Sequence, residues 1–263
     1  MTPDHVGRPS FARESPHRIG MIVPSSNTTM ETEVPRLMEA VAEPHTFHSS
    51  RARLHTVDAE SLSAMVADGD RCAAELADAA VDVIGYACLV AVMTQGPGAH
   101  ERIEDHLSEI VRANGSEARV VSSAGALVRT LRSLGTSKVA LVAPYVPSLT
   151  RTVIDYLEGY GVDTVDWVTL AVEDNCDVGR LDAESLLDHV RGLDLTGAEG
   201  IVLSACVQMP SLPAVERVEA ETGLPVVSAA TATTREIIQA LGLALPQETV
   251  GGSALRRVET VRA

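Results

Sequence analysis

The feature that most constrains this chain is a repeat, because one order of short apolar runs and turns occurs twice within 263 residues. The β-branched runs are "RIGMIVP" (18–24), "TFHSSRARL" (46–54), "VDVIGYAC" (81–88) and "ARVVSS" (118–123), then "KVALVAP" (138–144), "DTVDWVTL" (163–170), "GIVLSAC" (200–206) and "PVVSAA" (225–230). Stretches of helical period lie between them, such as "DAESLSAMVADGDRCAAELADAA" (58–80). Short strands alternating with helices predict parallel sheets joined by crossover helices. The repeat predicts that arrangement twice. "GMIVPSSNT" (20–28) answers "ALVAPYVPS" (140–148), "VVSSAGA" (120–126) answers "VVSAATA" (226–232), and Cys88 answers Cys206. The expected fold is α/β, with two pseudo-symmetric lobes, each a four-stranded parallel sheet flanked by helices, and the site at the lobe interface. Residues 1–17 are expected as a flexible tail, 18–123 as the N-terminal lobe and 124–230 as the C-terminal lobe. Residues 231–263 should give a final helix packing back toward the first lobe, then a C-terminal tail.

In open parallel sheets, ligands bind beyond the carboxyl ends of the strands. Cys88 and Cys206 both stand there, each at the close of an apolar run. A lone strand-end cysteine ordinarily acts as a small core hydrophobe. Two in matching places of a repeat, facing one crevice, predict a pair in which one works as thiolate and the other as thiol. Peptide N–H groups at the helix start after Cys88 should lower its pKa. Cys72, within a helical stretch, reads as core, and Cys176, in the polar segment "VEDNCDVGRLD" (172–182), as a bystander. "VPSSNTTMETE" (23–33) predicts a helix capped by Asn27 or Thr28, with Glu31 three residues after Thr28 completing a capping box. Such a start presents N–H groups and an amide side chain to an anion. Tyr145, in the matching turn of the second half, can donate a phenolic hydrogen bond, and Asn175 offers a second amide. For these two, structural and functional readings stand level on the residues alone.

A formal net charge of -15, with Lys138 the only lysine, opposes nucleic acid and anionic membranes as partners. An anionic substrate would therefore need local neutral donors. No apolar stretch approaches the ~20 residues of a membrane span, and residues 1–17 lack the apolar centre of a secretory signal. A cytoplasmic protein with free thiols is expected. The histidines are scattered without metal-ligand spacing, and no glycine-rich phosphate loop follows a strand, so neither a metal nor a nucleotide cofactor is expected.

Together, "VPSSNTTMETE", "GYACLVAVMTQG", "APYVP", "EDNCDVGRLD" and "SACVQMPSL" resemble the maleate cis-trans isomerases of the Asp/Glu racemase superfamily, over about residues 18–243. The resemblance implies Cys88 as nucleophile and Cys206 as its acid/base partner. It implies Asn27, Tyr145 and Asn175 as ligands of the substrate carboxylates, with Leu89 and Val207 beside them. Amino-acid racemases of the superfamily resemble C-N-T and C-T at the two cysteines, whereas Leu89 and Val207 follow them here. Apolar neighbours suit a planar alkene better than a zwitterion. Arylmalonate decarboxylases are similar too but typically keep only the second-half cysteine. The implied reaction is cofactor-independent: a thiolate adds reversibly to the double bond of maleate, the single bond turns, and elimination gives fumarate. The implied partner is a small dicarboxylate, and a homo-oligomer, a dimer, is expected. A cofactor-independent racemase or epimerase, or an arylmalonate-type decarboxylase, is the alternative.

Overall fold

A computed structural model describes residues 15–244 and 250–256. Most of the expected N-terminal tail (1–14) and the end of the expected C-terminal tail (257–263) lie outside the described residues. The first half runs β1 (His17–Pro24), α1 (Met30–Met38), β2 (His45–Ala52), α2 (Ala59–Asp78), β3 (Val83–Tyr86), α3 (Leu89–Met93), α4 (Ala99–Ala113) and β4 (Arg119–Ser122). After α5 (Ser123–Ser133), the second half runs β5 (Lys138–Ala143), α6 (Pro147–Glu158), β6 (Asp163–Thr169), α7 (Asn175–Val178), α8 (Leu186–Arg191), β7 (Gly200–Ser204), α9 (Leu212–Thr222) and β8 (Val226–Ser228). Helices α10 (Ala229–Ala240) and α11 (Ser253–Arg256) complete the described chain.

Each half forms a four-stranded sheet, ordered β2-β1-β3-β4 and β6-β5-β7-β8, and every pairing is parallel. The two orders are the same order, so the fold has the expected pseudo-symmetric α/β form. Central strands β3 and β7 are buried along their whole length, whereas edge strands β2 and β6 keep mixed, partly exposed faces. That contrast follows from helices covering both faces of a parallel sheet. Each fully buried Ile, Val or Leu, such as Ile19, Ile84, Leu141 and Ile201, stabilises the fold by roughly 1.5–3 kcal/mol.

The lobes are tied together at the helices that end each repeat. Ser122 caps α5 by accepting from Gly125 N, and Ser228 caps α10 by accepting from Thr231 N. The repeated "VVS" thus ends a strand and starts a helix with one residue. Helix α10 packs against α1, α5, β3 and β4, so a helix that follows the second sheet covers the first. Gly85 permits the close approach, since a Cβ there would meet Ile237 Cδ1 at 3.3 Å. Thr233 Oγ1 donates to Ser123 Oγ at 2.9 Å across the α5–α10 contact.

Two further contacts join the lobes, and they are pseudo-symmetric. Glu33 of α1 accepts N–H bonds from Ser211 (2.6 Å) and Leu212 (2.7 Å) at the start of α9 in the other lobe. Tyr156 of α6 accepts from His100 N (3.1 Å) at the start of α4. In each lobe, the helix after the first strand therefore supplies an acceptor to orphan N–H groups of the helix beyond the other lobe's cysteine.

Candidate active site

Both cysteines leave their strands by the same step. Ala87 N continues the ladder to Ile22 O (2.8 Å), and Ala205 N does the same to Val142 O (3.1 Å). The next residue in each case is the cysteine, set just beyond the carboxyl end of a central strand. Cys88 (3 % exposed) caps α3, and Cys206 (5 % exposed) enters a tight turn in which Ser204 Oγ donates to Cys206 O and Met209 O. The two thiols lie within electrostatic reach of each other.

Their surroundings differ. Burial pushes the Cys88 thiol up to about 12; Ala91 N–H alone works against this, and the neighbouring Cys206 adds to it. The helix start does act in the expected direction through Ala91 N–H, but one peptide donor in a short helix offsets little of the desolvation of a fully enclosed thiolate. Burial also raises the Cys206 thiol, but the Tyr145 hydroxyl, Gln208 N–H and Met209 N–H all favour its thiolate form; the Gln208 contact is 3.4 Å. Tyr145, itself buried, is held well above the ordinary phenol value, first by burial and then by Cys206. It is a neutral donor.

Asn27 is fully buried in the turn after β1. Its Oδ1 accepts from Met30 N at 3.0 Å, while its Nδ2 has no partner among the described residues. The cap is real, but the expected capping box is not: Thr28 accepts no helix N–H, and Glu31 pairs with Arg51 instead. A nearby guanidinium competes better for that carboxylate than one peptide N–H. Asn175 lies in the first turn of α7, not in an open loop, because Asp174 caps that turn by accepting from Cys176 N and Asp177 N. Asn175 Nδ2 donates to Ser26 Oγ at 2.7 Å, which joins the two amide-bearing segments. Leu89 and Val207, the residues after the cysteines, are both buried. Cys72 is buried within α2, as expected, and Cys176 is exposed.

A cleft of about 230 Å³ opens beside Tyr145, with Thr56, Val57 and Asp58 on one side and Val146, Leu149, Val172 and Glu173 on the other. Thr56 forms an antiparallel bridge with Asp174. Three participants were not legible from the sequence. Ser26 contacts Asn175, Arg51 donates to Ser25 O and Asn27 O, and Gln208 reaches from the Cys206 turn to the Asn27 turn. For Gln208 a signal existed, namely a long amide two residues after Cys206 where the first repeat has Val90.

Two four-stranded parallel sheets of one strand order, tied together by the helices that end each repeat, define a class. The chain belongs to it, because the sequence model of the arylmalonate decarboxylase family matches residues 19–253. Within that class the chain is a member of the maleate isomerase family. It is 52% identical over 231 residues to the maleate isomerase of Geobacillus stearothermophilus, covering 86% of this chain and 92% of the relative. The Nocardia farcinica maleate isomerase is 49% identical over 244 residues, covering 92% and 96%. Crystal structures agree. A cysteine-to-alanine variant of the Pseudomonas putida S16 maleate isomerase, solved with maleate, superposes with a TM-score of 0.90 at 44% identity over 93% of this chain and 100% of that one. A cysteine-to-serine mutant of the Nocardia farcinica enzyme, carrying a covalently bound succinylcysteine intermediate, gives 0.89 at 48% identity over 92% and 99%. Arylmalonate decarboxylase itself, in a mutant form, shares the fold, with a TM-score of 0.76 at 22% identity over 90% and 99%. The protein is an enzyme, an isomerase. Among the described residues, no helix is long and apolar enough to cross a membrane.

Proposed function

We propose that this protein converts maleate to fumarate by reversible addition of Cys88 to the double bond. The observation that carries the reading is the buried thiol pair, linked through the Gln208 segment to the unpartnered amide of Asn27. An unpartnered buried N–H group costs stability unless a ligand accepts from it, and a carboxylate is the strongest such acceptor. Relatives of about 50% identity carry the same activity in their names, and one of them holds a succinylated cysteine although another cysteine is serine.

The reaction balances on the chain's own groups. In the reactive form one thiol proton of the pair has gone to solvent, and Cys206, whose thiolate is the better supplied with donors, takes the Cys88 proton and becomes a thiol. The Cys88 sulfur then bonds to one alkene carbon, and the π pair moves onto the other carbon and into its carboxylate, where neutral donors stabilise it. Asn27, Tyr145 and Asn175 are those donors, with Leu89 and Val207 against the carbon skeleton. The central bond is now single and turns. The electron pair returns, the carbon–sulfur bond breaks, and fumarate leaves with its atoms unchanged. Cys206 guards the carbanionic carbon in between, or protonates it and takes that proton back as the carbon–sulfur bond breaks. No electron is gained or lost, so the step calls for no oxidant or reductant.

The test is proton NMR of maleate incubated with the enzyme and no added cofactor. Fumarate should appear as the maleate alkene signal falls. If maleate persists while aspartate, glutamate or a hydantoin loses its α-proton to solvent, the thiols work as a racemase pair; carbon dioxide release from an arylmalonate would mark a decarboxylase.

A further inference from the structure

We infer that Gln208 is a positioning residue, whose side-chain amide holds the Asn27 and Asn175 segments in register with Cys206. The inference rests on the carboxylate-binding roles proposed for those two asparagines. Gln208 is 2 % exposed, and its amide is fully used. Its Oε1 accepts from Thr28 N at 3.0 Å and Thr29 N at 3.4 Å, both just after Asn27. Its Nε2 donates to Ser26 O at 3.1 Å, just before Asn27, and to Asn175 O at 3.0 Å. One planar group therefore grips the Asn27 turn on both sides and the Asn175 turn on its backbone. Its main chain completes the fix: Gln208 N donates to Cys206 Sγ, and Gln208 O accepts from Thr29 Oγ1 at 2.7 Å.

The grip crosses the lobe boundary, since Ser26 to Thr29 belong to the first half and Asn175 and Cys206 to the second. Gly179 leaves the space the amide occupies, because a Cβ there would collide with Gln208 Nε2. The first lobe has Val90 at the matching position, so the device is one-sided and is not imposed by the repeat. A preorganised donor needs no reorganisation when substrate binds. Loss of the grip should therefore weaken substrate capture before it impairs the thiol chemistry.

Two variants of the full chain separate this from a merely structural role. Gln208→Met keeps the shape and removes all four bonds. Gln208→Glu keeps the acceptor for Thr28 and Thr29 but cannot donate to Ser26 O and Asn175 O unless protonated. With maleate as substrate, Gln208→Met should raise KM at least tenfold and lower kcat by less. Cys88 alkylation by iodoacetamide, followed by peptide mass spectrometry, should keep its wild-type rate, whereas protection by maleate should need correspondingly more maleate. For Gln208→Glu, activity relative to wild type at the same pH should recover as pH falls from 8 to 6, because the acid form regains a donor. Wild-type KM in Gln208→Met, or a lowered melting temperature with an unchanged KM, overturns the inference. Should Gln208→Met fail to fold, a flat Gln208→Glu to wild-type ratio across pH overturns it. If the wild type itself leaves maleate unchanged, the proposed function fails separately, and amide hydrogen exchange at Thr28 and Thr29 decides for Gln208. Wild-type protection of both amides in Gln208→Met then excludes the grip, and faster exchange in Gln208→Met but not in Gln208→Glu, which keeps their acceptor, supports it.

Discussion

Cys88 and Cys206 occupy matching places but not matching environments, and the difference fits the roles proposed for them. Three donors reach Cys206 and one reaches Cys88, so Cys206 is the better resting place for a negative charge and Cys88 the better nucleophile once its proton is gone. Cys88→Ser should lower turnover of maleate at least about a thousandfold, since an alcohol is far less ionised than a thiol; activity within tenfold of wild type would remove Cys88 from the reaction. In Cys206→Ala, an adduct protonated by water has no base to reverse it. Intact-protein mass spectrometry after maleate exposure should then show one added maleate, mapped by digestion to the peptide containing Cys88, with Cys88→Ala as the blank. An adduct found on Cys206 in the wild type would exchange the two roles. Asn27 permits a sharper test than truncation, because its two amide atoms do different things. Asn27→Asp keeps the acceptor for Met30 N and replaces the unpartnered donor with an anion. Its melting temperature should fall, because the new carboxylate is enclosed, and in the folded variant kcat/KM for maleate should fall by the equivalent of about 1–3 kcal/mol or more.

Among the elements, the helices after the first strands bear on both stability and the site. The turn that leads into α1 holds Asn27 and Gln208's partners Ser26, Thr28 and Thr29, and α1 itself sends Glu33 into the start of α9. Glu33 is a buried carboxylate with no cation paired to it among the described residues, and burial raises its pKa while the Leu212 and Ser211 N–H groups oppose the rise. Its work is capping, so Glu33→Gln, which still accepts both N–H bonds, should unfold in urea near the wild-type midpoint. Glu33→Ala leaves two buried donors unpartnered and should cost about 2–6 kcal/mol, from roughly 1–3 kcal/mol for each orphaned group. Equal midpoints for Glu33→Ala and wild type would show that water replaces the carboxylate without loss. The counterpart Tyr156→Phe removes the acceptor of His100 N and the partner of its Nδ1, and should cost about 1–3 kcal/mol by the same measurement.

Over the whole molecule, the site makes the fold sensitive to base. Cys88, Cys206 and Tyr145 are all held above their ordinary values in the folded state, Cys88 at about 12 against an ordinary 9.0. Above about pH 9 the unfolded chain gives up thiol protons that the folded chain retains, so the folded state binds more protons and stability falls as pH rises. The contribution is complete below about 9 and is lost toward 12. Urea midpoints measured from pH 8 to pH 11 should therefore decline, and Cys88→Ala should decline less steeply; parallel slopes would show that the thiol is not held protonated by the fold. The strands, the two-sheet architecture and the strand-end cysteines were legible in the sequence because they rest on local periodicity: each of the eight apolar runs forms its strand to within a few residues. "VVSSAGA" and "VVSAATA" were likewise legible as repeats, and each places a serine cap at the same step. Glu31 defeated local reading, since a pattern of Thr28 and Glu31 that suits a capping box carries no sign that Arg51 stands across the strand pair. Cys88 did so too: its flanking residues announce a helix start, but enclosure raises its pKa, and Cys206, more than a hundred residues on, adds to the rise. Gln208, Glu33 and Tyr156 act over some 56 to 180 residues of chain. Sequence alone therefore determined the elements, their order and the paired thiols, because backbone sterics and hydrophobic period act between near neighbours. Only the tertiary structure decided which amide stays unpartnered, which thiol receives the donors and how the lobes are held in register, because hydrogen bonding and desolvation depend on whichever groups folding brings within a few ångströms.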